Sequence, residues 1–196
     1  MGANTTGYRN TALGSESMES NTTGSFNTSI GFQALEVSNE DANVAVGYQA
    51  MDGSTGSDSC TAIGTESLRN ATGDDNTAVG RYSLNANTSG FSNNAFGRRA
   101  GVAVTTGFSN TCIGDSAGSA ITTGAKNICI GGDAGAHTAS LVTGSDCILI
   151  GRNTQTSATD ADNQIVMGDT VTGAANNSFT IGKDSTDSNI AFGATS

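Results

Sequence analysis

The residues with chemistry to offer are few in this 196-residue chain: one histidine, four cysteines, and acids gathered in short runs. His137 stands alone, and no cysteine pair has ligand spacing, so a zinc site cannot be completed. A surface-loop histidine is expected. Cys112 and Cys129 occupy the same place in successive sequence repeats. Stacked one coil apart, their Cα atoms would lie about 5 Å from each other, within disulfide range. Their side chains would run parallel, which strains such a bond and favours free, buried thiols. Cys60 and Cys147 are five repeats apart. At the spacing of stacked strands that is roughly 24 Å, too far to pair.

Acids cluster at Glu40-Asp41, Asp74-Asp75, Asp160 and Asp162. Paired carboxylates could hydrolyse a glycosidic bond. Here they replace ordinary turn residues instead, and no clustered loop for calcium is formed. Aromatics follow glycines, as at Tyr8, Phe26, Phe91 and Phe108, and again at Phe32, Tyr48 and Tyr82. They could stack on sugars or cover coil edges. Rows of Thr hint at ice binding, but Thr gives way to Ile after Thr111. No catalytic, cofactor or metal set is expected.

What must position these residues is a repeat. Gly14, Gly31, Gly47, Gly64, Gly80, Gly97, Gly114, Gly131, Gly151, Gly168 and Gly182 each follow an apolar run, with successive gaps of 17, 16, 17, 16, 17, 17, 17, 20, 17 and 14. Gly193 adds a weaker mark. A fixed period of this kind belongs to a stack of similar units. The residue before each glycine is large and apolar, from Leu13, Ile30 and Val46 to Ile181 and Phe192. The residue before that is usually small, such as Ala12, Ser29, Ala45 or Cys112. Four before it stand Asn10, Asn27, Asn43, Asn76, Asn93, Asn110 and Asn127, with Cys60 and Cys147 in the same place in two repeats. A second glycine marks a far corner, as in Thr6-Gly7, Thr55-Gly56 and Thr106-Gly107.

Each repeat therefore predicts two short extended pieces and two glycine corners, with glycine supplying positive φ. The expected fold is all-β: a parallel β-solenoid, or β-roll, of about eleven 16–17-residue coils. Regular coils are expected over 1–151, and less regular ones over 152–196, tapering toward a further element. The asparagines should form a ladder, each amide bonding the next. The corner glycines that frame it are Gly14, Gly31, Gly47, Gly64, Gly80, Gly97, Gly114, Gly131 and Gly151.

Composition agrees with order of this type. The chain has 27 Gly, no Pro, no Trp and 13% charged residues. A net charge of −10 argues against nucleic acid and anionic membrane surfaces as partners. No apolar run approaches the ~18 residues of a membrane span. No basic-then-apolar signal segment opens the chain, and Met1-Gly2-Ala3 runs straight into a repeat, as though cut from a longer protein.

Both residues before the marker glycine are apolar, so both faces of that strand should be buried. The expectation is that Leu, Ile and Val fill the coil interior. The small-residue stripe then meets its copies around a three-fold axis, in an intertwined or side-by-side homotrimer. The alternative is a monomer with an exposed alanine stripe.

The segments Asn43-Val-Ala-Val-Gly47, Asn76-Thr-Ala-Val-Gly80 and Asn127-Ile-Cys-Ile-Gly131 resemble the head repeats of trimeric autotransporter adhesins of the YadA type. Gly31-Phe-Gln-Ala-Leu35 and Gly47-Tyr-Gln-Ala-Met51 look still more like repeats of phage tail fibres. Asn163-Gln-Ile-Val-Met-Gly168, followed by Asn177-Ser-Phe-Thr-Ile-Gly182, is similar to the segment preceding an intramolecular chaperone in such proteins. The resemblance implies a left-handed roll in three chains. It also implies a non-enzymatic rod of an extracellular or virion-associated fibre that mediates or supports attachment. The partners would be copies of itself, possibly end to end, and a cell-surface glycan or protein receptor. A homopolymeric extracellular filament and a polysaccharide-degrading tailspike remain as alternatives.

Overall fold

The structure is a computed structural model that describes residues 2–136, 141–183 and 188–191. His137, Phe192 and Gly193 lie outside the described residues. One strand recurs in every coil: β1 (Thr11–Leu13), β2 (Thr28–Ile30), β3 (Val44–Val46), β4 (Thr61–Ile63), β5 (Thr77–Val79), β6 (Asn94–Phe96), β7 (Thr111–Ile113), β8 (Ile128–Ile130), β9 (Ile148–Ile150), β10 (Gln164–Asp169) and β11 (Ser178–Lys183). These pair in parallel in strict chain order, and β12 (Ser188–Ala191) closes the sheet antiparallel to β11. Eleven parallel strands enclose about ten turns of a β-solenoid. No helix occurs among the described residues.

Only one side of each coil is a strand. The expected second extended piece is absent from the described coils, where turns and bends take its place. The reason lies in the backbone. Positive φ occurs at four places per coil, and mostly at residues other than glycine. Coil four shows the pattern: Ser59 (φ 59), Gly64 (φ 136), Glu66 (φ 51) and Leu68 (φ 48). Left-handed conformations at non-glycine residues each cost about 1 kcal/mol. Hydrogen bonds between neighbouring coils offset this, for example Leu35 N–H to the Ala50 carbonyl (3.0 Å) and Leu68 N–H to the Ser83 carbonyl (3.0 Å).

The two glycine columns serve different ends. Gly47 combines φ +137 with a backbone approach so close that a Cβ would stand 2.7 Å from the carbonyl carbon of Gly64. Gly107, at the far corner, is not in the left-handed region. There a Cβ would collide with the Gly124 carbonyl oxygen, so clearance alone requires the glycine. The far-corner column does not include Gly56, because Ser57 occupies that place.

The strand faces are the reverse of the sequence expectation. Ala45, Ala62, Ala78, Ala95, Cys112 and Cys129 are buried inside the coil, while Leu13, Ile30, Ile63, Phe96 and Ile113 point outward and are exposed. The small side chains face inward because the coil is narrow. Its interior is already occupied by Met18, Leu35, Met51, Leu68 and Leu84, projecting from the opposite side. Small against large conserves the volume available in each layer.

That constraint explains a switch along the chain. Up to Leu84, the core residue four places after the marker glycine is Leu or Met. Its companion three places later is small or polar: Asn21, Ser38, Ser54, Ala71 and Asn87. At Gly101, Gly118 and Gly135 the first place is Gly, and the second becomes Val104, Ile121 and, beyond a three-residue insertion, Leu141. A Cβ added to Gly118 would lie 3.1 Å from Cδ1 of Ile121 and would collide with Cys112 Sγ. Asn87 sits at the seam of the switch, buried, with both side-chain polar atoms unpartnered.

Gly118→Leu is therefore expected to destabilise by about 2–3 kcal/mol through overpacking. The triple variant Gly118→Leu, Ile121→Ala, Cys112→Ala reproduces the Ala62, Leu68, Ala71 layer and should recover most of the loss. Urea unfolding monitored by circular dichroism measures both, and the idea of conserved layer volume fails if the triple variant is no better than the single.

Candidate functional site

Three columns of side chains run along the solenoid and could carry function. The first is the asparagine ladder. Each asparagine accepts, through Oδ1, the backbone N–H of the ladder residue in the next coil. Asn43 N–H donates to Asn27 Oδ1 (2.8 Å), Asn93 N–H to Asn76 Oδ1 (3.0 Å) and Asn127 N–H to Asn110 Oδ1 (3.1 Å). Each also donates, through Nδ2, to a far-corner carbonyl of the next coil. Asn10 reaches Gly24 (2.7 Å), Asn93 reaches Gly107 (2.9 Å) and Asn110 reaches Gly124 (2.9 Å). Amide-to-amide bonds join only the later rungs, Asn76 through Asn127. The ladder thus ties strand entry to the far corner. Its asparagines from Asn27 onward are buried and fully engaged, so they offer nothing to a ligand.

Cys60 and Cys147 occupy two rungs. The Cys60 thiol donates to the Gly73 carbonyl (3.5 Å) and accepts from Asn76 N–H (3.4 Å). Burial pushes the Cys60 and Cys147 thiols up to about 11. Cys112 and Cys129 pair in register between β7 and β8, and all four cysteines are free and buried. Contact with the Cys112 thiol, together with burial, raises Cys129 well above the usual thiol range. Cys60, Cys129 and Cys147 therefore remain protonated at neutral pH and are inert as nucleophiles.

Acids form the second set. At the far corner, Asp41, Asp58 and Asp74 stack in one column and each caps a backbone N–H of the preceding coil, from Ser25 (2.7 Å), Asp41 (2.8 Å) and Asp58 (2.9 Å). Asp162 caps Ser145 in the same way (2.7 Å). Their role is to complete the turn, and Asp75 and Asp160 are not brought into any paired arrangement with them. The acids that do converge were not singled out by sequence. Glu16, Glu19 and Glu36 bring carboxylate oxygens within 4.8 Å of one another. Glu19, Glu36 and Asp52 share a column that ends at Arg69, which bridges Asp52 (3.2 Å) and Glu66 (3.2 Å). Burial, a hydrogen bond with Asp52, and the charges of Asp52, Glu16 and Glu19 raise the Glu36 carboxyl above its ordinary value. The signal was the 16- and 17-residue spacing of these acids, which falls on the coil period.

The third column is the outward strand face. Leu13 is 66% exposed and Ile113 40%, with Val46 and Val79 half-buried between them and Ile130, Ile150 and Met167 half-buried beyond. Two places earlier, Thr11, Thr28, Thr61, Thr77 and Thr111 give way to Ile128, Ile148 and Ile165. The face therefore becomes wholly apolar over β8 to β10. Aromatic rings lie on the flanking corners: Phe91 stacks on Phe108 with centroids 5.0 Å apart, Phe32 on Tyr48 at 5.7 Å, and Tyr8 meets Phe26 edge-on at 5.1 Å. The rings pack on one another from coil to coil.

No protein-family model, curated protein or solved structure matches this chain.

Two outcomes test these columns. Asn110→Ala removes a buried amide and leaves the Asn127 N–H and the Gly124 carbonyl unpaired, so a loss of about 2–3 kcal/mol is expected in urea unfolding. The exposed Asn94→Ala should stay within about 0.5 kcal/mol of wild type. For Glu36, a raised carboxyl means that the folded chain holds its proton more tightly than the unfolded chain. Stability therefore falls as pH rises through the window above the usual glutamate value. Glu36→Gln should raise the melting temperature at pH 7, with the gain vanishing below about pH 4. An equal gain at both pH values would contradict the assignment.

Proposed function

We propose that this chain is a non-enzymatic structural rod of an extracellular or virion-associated fibre. It self-associates along its outward strand face and holds or presents an attachment surface. The observation that carries the proposal is the unbroken outward column of Leu, Ile, Val and Phe on β1 to β9, in which Leu13, Ile30, Ile63, Phe96 and Ile113 are exposed and the others half-buried. Isolated apolar residues on a surface need no partner, but a continuous stripe along a whole molecule does.

The partner that fits is further copies of the chain. The stripe repeats once per coil, at the ~4.8 Å step of stacked strands. A partner must match that step over about ten coils to bury it, and an identical chain laid alongside does so by construction. Three copies around one axis would bring their narrow stripes together and leave the corners of each coil on the outside. In this reading the trimer contact is made by the large apolar residues rather than by the small ones, which are buried inside the coil. The resemblance to adhesin heads and phage tail-fibre repeats supports the same reading, as does an acidic net charge that keeps a long rod soluble.

Growth end to end into a homopolymeric filament fits less well, because contacts between coil ends would leave the apolar stripe on the strands uncovered. The tailspike alternative has less support too, because the far-corner carboxylates of Asp41, Asp58 and Asp74 are engaged with backbone N–H groups.

Light scattering after size exclusion should give three times the 19.5 kDa chain mass. Ile63→Asp with Ile113→Asp should give a folded monomer with an unchanged circular dichroism spectrum. A wild-type monomer at micromolar concentration would refute the rod assembly.

A further inference from the structure

The chain has eight basic residues against eighteen acids, yet three of the eight converge on one concavity of about 310 Å³, lined by Arg81, Tyr82, Arg98, Arg99 and Val102. Arg81 and Arg98 are stacked in the same column of neighbouring coils, and Arg99 adjoins Arg98 in the next column. Like charges set opposite each other on paired chains are destabilising, and the fold relieves this only in part. Arg98 bridges Asp115 at 2.8 Å, with both side chains exposed. Arg81 lies over the Tyr82 ring, 4.5 Å from its centroid, with a guanidinium nitrogen 3.3 Å from the phenol oxygen. Neither contact neutralises Arg81. The Arg99 side chain makes no ion pair or hydrogen bond, although Asp115 lies within its electrostatic reach. Arg152, in the same column, is neutralised by Asp169 at 3.0 Å just as Arg98 is by Asp115, so Arg81 is the one of these three without an acidic partner.

We propose that this concavity binds an acidic saccharide, with the carboxylate or sulfate of a sugar unit held between Arg81 and Arg99 and the sugar ring resting on Tyr82 and Val102. Guanidinium groups bind planar carboxylates and sulfate oxygens through paired N–H donors, which suits a ligand with a fixed anion. The half-buried Tyr82 ring and Val102 give an apolar floor beside the charges, the usual make-up of a small-molecule site. The volume is large enough for a sugar unit. The site lies just past the corners at Gly80 and Gly97, beyond strands β5 and β6. The inference rests on the attachment reading and gives it a ligand class.

Isothermal titration with a heparin-derived hexasaccharide, an oligogalacturonate and a neutral dextran oligomer tests it. At low salt, at least one of the two acidic oligomers should bind and dextran should not. Whichever acidic oligomer binds tells sulfate from carboxylate. Arg81→Ala with Arg99→Ala should weaken that binding at least tenfold, whereas Arg152→Ala should leave it unchanged. The inference is overturned if neither acidic oligomer binds, if the double variant binds as wild type does, or if inorganic sulfate displaces the sugar at equal concentration. Light scattering on the same samples separates the two levels: sugar binding lost at wild-type oligomer mass contradicts only this site, and a monomeric wild type contradicts the rod.

Discussion

Every backbone group in this solenoid that does not face water must be satisfied by the coil above or below it. That single requirement governs the rest. With strands only three residues long over most of the rod, the ladder of β bonds is too short to hold a coil by itself. The turns must stack too, and their left-handed residues must fall at the same places in coil after coil. A column of one residue type is the simplest way to meet that condition. The asparagines do so twice, accepting one N–H and donating to one carbonyl across the same step. Buried backbone groups left unpaired would each cost about 1–3 kcal/mol, which makes the columns a necessity rather than an ornament.

The same requirement decides which side of the chain is free to act. The interior is narrow and is filled by a fixed volume per layer, whether Leu68 with Ala71 or Gly118 with Ile121. The ladder and the far-corner acids are engaged with backbone. The four thiols are buried and free. What remains is the outer surface: a continuous apolar stripe along the strands, aromatic pairs at the corners, and one cationic hollow in an acidic molecule.

Much of the architecture was legible in the sequence because the period is a direct consequence of stacking. The eleven marker glycines, the Asn column and the absence of helix follow from spacing alone. The orientation of the strand was not. Two adjacent apolar residues, such as Ala62 and Ile63, say that both faces are apolar but not which is inside. That was decided by Leu68, on the far side of the coil, which leaves room only for a methyl. The switch from Leu84 with Asn87 to Gly101 with Val104 was present in the residues. It is readable only once both places are known to share one layer. The second glycine column was expected to supply positive φ, and it supplies clearance instead. Leu, Met, Ser and Asp residues take the left-handed conformations that glycine was expected to carry, because stacked hydrogen bonds hold them there. The Glu16, Glu19 and Glu36 cluster and the arginine hollow were hidden for a related reason. Each is built across coils, from residues that look unremarkable within any one repeat.

The account stands on the stacking of equivalent backbone groups, and amide hydrogen exchange reads those groups individually. By NMR, the backbone N–H groups of Asn27, Asn43, Asn76, Asn93, Asn110 and Asn127 should exchange slowly, as a band of closely similar protection. The Nδ2 protons of Asn93 and Asn110 should be protected with them. Fast or widely scattered exchange among these six amides, in a chain that is otherwise folded, would contradict it.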